Sequence, residues 1–178
     1  MYSYLNLSLM QLRNELEPDL KTAEQRYPKV LEAILAYTNF CDEHGDEELT
    51  EYKKLEDKLH SLTGKDMSRF NLGEWWEEEG AEPLAFKISL PDPVFNGDIT
   101  REELREIVKR LKTFGEPVEG DDSFSDQFGL YLDGYYHSLL SFNFKGYDPK
   151  LFQRNKDKNG KYFEYSADEI VARIMTIL

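Results

Sequence analysis

The side chains of this sequence best suited to metal ligation or nucleophilic chemistry are three histidines, His44, His60 and His137, and a single cysteine, Cys41. Cys41-Asp-Glu-His44 has the spacing of two metal ligands, but a structural zinc site takes four and no second pair exists. The spacing predicts instead that Cys41 completes an apolar helix face. Asn155-Lys-Asp157-Lys-Asn159-Gly160 resembles the opening of a calcium loop, yet its twelfth position is Ser166 where a bidentate Glu is required. Lys150, Lys156, Lys158 and Lys161 would oppose a cation there, so the segment is expected to be a hairpin turn. Among the many carboxylates, Glu74 beside Trp75 and Trp76 is the best general-acid candidate, since Glu77, Glu78 and Glu79 cluster as a solvated group. No G-x-S-x-G, H-E-x-x-H, P-loop or G-x-G-x-x-G is present. The expectation is a protein that is not an enzyme, with no catalytic residue, no metal and no organic cofactor.

Glu74-Trp-Trp-Glu-Glu-Glu79 also has a binding reading. Adjacent residues point in different directions, so the two indoles cannot be equally buried in one core. An exposed Trp among carboxylates would anchor a basic protein surface through apolar contact and cation-π attraction. The alternative is one Trp in the core and the other lying on the surface among solvated glutamates. The acidity is localised. Residues 1–126 hold 29 acidic and 15 basic side chains, whereas residues 127–178 hold 6 and 7. It gathers in three runs without Lys or Arg: Asp42 to Glu51, Glu74 to Glu82 and Glu116 to Asp126. The partner-binding candidates are therefore Asp42, Glu43, Asp46, Glu47, Glu48, Trp75, Trp76, Glu77, Glu78 and Glu79.

The elements that must position these residues change character along the chain. Leu9, Leu12 and Leu16 predict a short helix stopping at Pro18. Pro28 suits a first helical position, and Val30, Ile34, Tyr37 and Cys41 continue at helical spacing to Gly45. Asp46 can cap a following helix with Leu49, Tyr52, Leu55, Leu59 and Leu62 on one face, ended by Gly64. The two form an antiparallel hairpin with the acidic Asp42 to Glu51 run at its tip. From Pro83 the period falls to two, with Leu84, Phe86, Ile88 and Leu90 on one side of a predicted strand. Thr100 and Glu103 form a capping box for a helix carrying Leu104, Ile107, Val108 and Leu111. Gly115 to Ser125 is expected to be a mobile loop. Gln127 to Leu132 and Tyr135 to Phe144 read as strands joined at Asp133-Gly134, and 151–154 and 161–165 as a second hairpin around Asn159-Gly160. The tyrosines and phenylalanines of the first of these hairpins serve either the core or a contact face. Ser166 and Glu169 cap a last helix with Ile170, Val171, Ile174 and Ile177. The predicted class is α+β: an N-terminal helical hairpin, then a mainly antiparallel sheet with one inserted helix and a C-terminal helix.

At 178 residues the chain suits a single domain, 1–178, with a helical part over 1–65 and a sheet-containing part over 83–178. A hydrophobic fraction of 40% and 13% aromatic residues put it among globular sequences. The lone cysteine and an N-terminus without a signal or span pattern predict a cytoplasmic location. A net charge of -13 repels phosphate backbones and anionic membranes, which disfavours direct nucleic-acid and membrane binding.

Small size, acidity, the three carboxylate runs and the lack of catalytic motifs together resemble bacterial immunity proteins of polymorphic and contact-dependent inhibition toxins. That resemblance implies an acidic inhibitor that binds a basic partner, such as a nuclease toxin domain, and blocks its active site or substrate groove. Two other readings use the same composition. One is a DNA-mimic inhibitor of a nucleic-acid enzyme, which the near-neutral final third opposes; the other is an ordinary cytosolic small-ligand-binding domain or enzyme whose acidity serves solubility.

Overall fold

The structure, a computed structural model, describes residues 11–77, 80–113 and 123–176, without the side chain of Trp76. Two compact bodies divide the chain, one built from Asp19–Pro91 and Glu119–Tyr131, the other from Met1–Pro18, Asp92–Val118 and Leu132–Leu178. The chain thus passes between them four times.

In the first body, α1 (Leu20–His44) starts at Asp19, whose carboxylate accepts from the Thr22 N–H at 2.9 Å. Pro28, expected at a helix start, lies two turns inside α1. It removes one backbone donor, and the helix continues because buried residues flank it on both sides, Ala23 before and Val30, Ala33 and Ile34 after. Helix α2 (Thr50–Thr63) returns along α1 and ends at Gly64, whose φ of 77° and N–H bond to the His60 carbonyl form a left-handed cap. The predicted hairpin is present.

The predicted strand from Pro83 to Leu90 is instead α3 (Ala81–Ser89). This helix buries Ala81, Pro83, Leu84, Ala85, Phe86, Ile88 and Ser89, so nearly its whole circumference faces protein. A helix covered all round loses the apolar stripe that marks its period, and its small residues happened to fall at alternate positions. Its core partners are Val30, Ala33 and Ile34 of α1, Leu55 and Leu59 of α2, and Met67 and Leu72 between them. The Lys65 ammonium, itself buried, donates to the Lys87 carbonyl at 2.8 Å near the end of α3. Residues 115–122 of the expected mobile loop lie outside the described residues; Ser123 caps α5 (Phe124–Phe128), which a 3-10 turn continues over Gly129–Tyr131. These replace the predicted strand at 127–132. Phe128 stacks on Phe86 with centroids 4.6 Å apart, and Tyr27 meets both Phe124 and Phe128.

In the second body, residues 14–17 form only a turn, closed by Leu16 N–H to the Arg13 carbonyl, where a short helix was expected; Leu9 lies outside the described residues. Both predicted capping boxes are formed. Thr100 and Glu103 exchange bonds of 2.8 and 3.2 Å at α4 (Arg101–Thr113), and Ser166 and Glu169 exchange bonds of 2.8 and 3.3 Å at α7 (Ala167–Thr176). Ile177 of that last predicted face lies outside the described residues.

The predicted strand from Tyr135 to Phe144 is α6 (Asp133–Asn143). It buries Tyr135, Tyr136, Leu139 and Leu140, a pair repeated one turn later. Asp133 accepts from the Gly134 N–H at 2.8 Å at the helix start, and Gly134 lacks the positive φ of a hairpin turn. Inside this body Arg110 bonds Glu17 at 2.7 Å, the buried Glu106 at 3.1 Å and the Tyr136 hydroxyl at 2.6 Å. A hairpin around Asn159-Gly160 does form, with Gly160 at φ 80°, but its predicted first strand at 151–154 is not one: Pro149–Phe152 is a 3-10 turn capped by Asp148, and pairing starts only at Asn155. Its strands are short: β1 (Asn155–Lys156) pairs antiparallel with β2 (Tyr162–Phe163).

Among the described residues β1 and β2 are the only strands, beside seven α-helices. The expected α+β class with a mainly antiparallel sheet is therefore corrected to a mostly helical fold with one two-stranded ribbon. No described helix is long and apolar enough to cross a membrane.

Candidate partner-binding surface

Four of the ten candidate residues stand exposed at the turn between α1 and α2: Asp42, Glu43, Glu47 and Glu48. The turn is fixed from both sides. Gly45 closes α1 with its N–H on the Cys41 carbonyl, at φ 71° and ψ 170°, a backbone conformation that favours glycine. Asp46, half-buried, folds its carboxylate over the start of α2, accepting from Tyr52 N–H at 2.8 Å and Glu51 N–H at 3.2 Å. The Tyr37 hydroxyl adds a longer bond of 3.4 Å. Partial burial pushes the Asp46 carboxyl up, but the backbone N–H groups of Tyr52, Glu51 and Thr50 outweigh it and hold the pKa below its usual value. Burial, then the neighbouring Cys41 and Asp46, raise the Tyr37 hydroxyl, so it keeps its proton as donor. Asp46 builds the tip, and the four exposed carboxylates give it its charge.

Leu49 was expected on the buried face of α2. It is 59% exposed, at φ 55°, the one described non-glycine residue with positive φ. Carrying Asp46 over the helix end requires the left-handed step at Leu49, which swings its side chain out among the acids. Its position next to Glu47 and Glu48 was the only sequence signal of this.

Trp75 lies in a 3-10 turn, Trp75–Glu77, half-buried against the α1–α2–α3 core. Its indole N–H donates to the Thr38 hydroxyl at 3.0 Å, which in turn donates to the Ile34 carbonyl at 3.1 Å. Thr38 precedes Asp42 by one helical turn, so the indole braces α1 beneath the acidic tip. Trp76 follows in the same turn; Glu77 is exposed; Glu78 and Glu79 lie outside the described residues.

The chemistry-bearing candidates are otherwise engaged. His44 stacks on Phe40 and lies 3.9 Å from Glu43, and Cys41 sits beside Tyr37. His60 Nδ1 bonds the Lys65 carbonyl at 2.8 Å, which fixes the proton on that nitrogen whenever the ring is neutral. The cleft it borders, about 420 Å³, also holds Glu56 and Asp57, both paired with Lys53. Among the described residues no three His, Cys, Asp or Glu side chains are gathered to hold a metal ion. The tip presents four exposed carboxylates and one exposed apolar side chain, Leu49, on a helical hairpin braced by Trp75. Comparison of the chain with family models, curated proteins and solved structures found no match.

Proposed function

We propose that this chain is a cytoplasmic, non-enzymatic inhibitor of the immunity type, which binds a basic protein such as a nuclease toxin domain through the α1–α2 tip. The observation that carries this reading is the exposure of Asp42, Glu43, Glu47, Glu48 and Leu49 at a turn shaped by Asp46 and Gly45, above a helix that Trp75 braces at Thr38. Exposed carboxylates accelerate the approach of a cationic partner, and an exposed apolar residue near them in the chain slows its departure. Trp75 acts by supporting the tip, while Glu77 extends the acidic surface.

Affinity capture from the native cell tests the proposal, comparing wild type with a Glu47→Lys, Glu48→Lys bait. Wild type should retain a basic protein that the reversed bait loses, with an association rate falling steeply between low and physiological salt, where screening shortens to about 8 Å. Co-expression should suppress that partner's toxicity. A partner held equally by both baits, with a salt-independent rate, would refute it.

A further inference from the structure

The second body carries a surface of opposite sign. Residues 145–165 hold six basic and three acidic side chains in a chain whose net charge is -13. Within them, residues 158–164 are exposed without a break around the β1–β2 ribbon. The pairing of Lys156 with Tyr162 places both on one ribbon face, and Arg154, two residues before Lys156, shares that face. The Arg154 guanidinium lies 4.4 Å and the Lys156 ammonium 4.8 Å from the Tyr162 ring centroid. On the other face Phe163, still exposed, meets Tyr165, which lies under Arg173 of α7. Neither Arg154 nor Lys156 has a carboxylate within ion-pair distance among the described residues. The ring steers both cations without neutralising them.

We infer that this ribbon face docks the acidic α1–α2 tip of a second copy of the chain, with Arg154, Lys156 and the nearby Lys158 against Asp42, Glu43, Glu47 and Glu48, and Leu49 against Tyr162. The inference rests on the reading of the tip as a docking surface and names one occupant for it. Charge complementarity selects that occupant, since the two surfaces oppose several charges and one exposed apolar side chain each. A nucleic acid fits less well, because the net charge of -13 repels a polyanion. The contact joins two different patches, the ribbon of one copy and the tip of the other.

A second copy also carries the net charge of -13, which gives the contact a particular salt signature. At low salt the whole chains repel across a screening length of about 30 Å; near physiological salt that repulsion decays within about 8 Å while ion pairs at contact survive; at about 1 M the pairs weaken too. Association should therefore peak at intermediate salt.

Sedimentation velocity on the full chain, over concentration and salt series, tests this with Arg154→Glu/Lys156→Glu and Glu47→Lys/Glu48→Lys variants, all at exposed or partly exposed surface positions. Wild type should show a sedimentation coefficient rising with concentration, each variant alone should stay flat, and an equimolar mixture should restore the rise, because the intact ribbon of one variant meets the intact tip of the other and reversed ribbon meets reversed tip. A flat wild-type profile at every salt overturns the inference, as does a rise that the ribbon variant leaves intact or a mixture that restores nothing. Ribbon-dependent binding of a labelled single-stranded oligonucleotide without self-association also overturns it, in favour of nucleic acid. If wild type does not self-associate yet the reversed tip still loses its captured basic partner, this inference fails and the proposed function stands.

Discussion

Replacing Leu49 with glycine should stabilise the protein and weaken its binding at the same time. Leu49 combines a left-handed backbone with 59% exposure, so glycine relieves strain and sacrifices little packing. The left-handed conformation costs an L residue about 1–2 kcal/mol, and the extra freedom of glycine in the unfolded chain returns about 0.5–1 kcal/mol of that, leaving a net gain near 0.5–1 kcal/mol. For a chain of this size the gain corresponds to a rise in Tm of about 2 °C. Binding moves the other way, since covering the exposed part of a leucine contributes about 1–2 kcal/mol, or roughly 5- to 30-fold in Kd. Differential scanning calorimetry and titration against the captured partner measure the two effects on one sample. A lower Tm would show that Leu49 is held by contacts; a higher Tm with unchanged affinity would remove Leu49 from the interface.

Arg110→Met strands the buried Glu106 carboxylate and should destabilise by about 3–5 kcal/mol, a loss of at least 6 °C in thermal melts. Phe128→Ala removes the ring stacked on Phe86 and should cost about 3–5 kcal/mol by denaturant titration, with far-UV helicity retained below the midpoint. Burial lowers the pKa of His137 in the fold, with Asp133 only partly opposing it. The unfolded chain therefore binds the proton more readily; the stability from this site is complete above the ordinary value near 6.5 and is lost as pH falls through the folded pKa. His137→Gln should flatten that part of the stability profile below pH 6.5, as followed by urea midpoints. Excess EDTA should leave the melting temperature unchanged, and a loss restored by one divalent ion would contradict this.

The parts of the fold legible from the sequence were those written in local chemistry. The capping boxes at Thr100 and Ser166, the positive-φ glycine stops at Gly45 and Gly64 and the α1–α2 hairpin each rest on residues within a few positions of one another. Two Xaa-Gly pairs show where local signals stop. Asn159-Gly160 is a true turn because nothing competes for its flanks, whose alternating lysines stay in water. Asp133-Gly134 has the same chemistry, but the pairs Tyr135-Tyr136 and Leu139-Leu140 bury one helical face, and that burial overrides the turn. At α3 the decisive fact is non-local, since a segment covered on every side shows no period of its own. The acidic tip was legible as composition. The exposure of Leu49 and the bond tying Trp75 to Thr38 were not, because each depends on a turn geometry or a partner distant in sequence.

The fourfold passage of the chain between its two bodies governs how the protein can be made. Neither body is complete until late in synthesis. Phe86 waits for Phe128, which leaves the ribosome only after α4 of the other body, and the segment of Leu12 and Leu16 waits for α4 and α6, where Glu17 bonds Arg110, Tyr135 and Tyr136. At about 5–20 residues per second that segment lacks its α6 partners for roughly 6–24 s of translation. No single cut yields an intact half. A fragment spanning 19–131 carries α4 with Leu104, Ile107 and Val108 stripped of the segments that share their body, an apolar helix face that leads to aggregation.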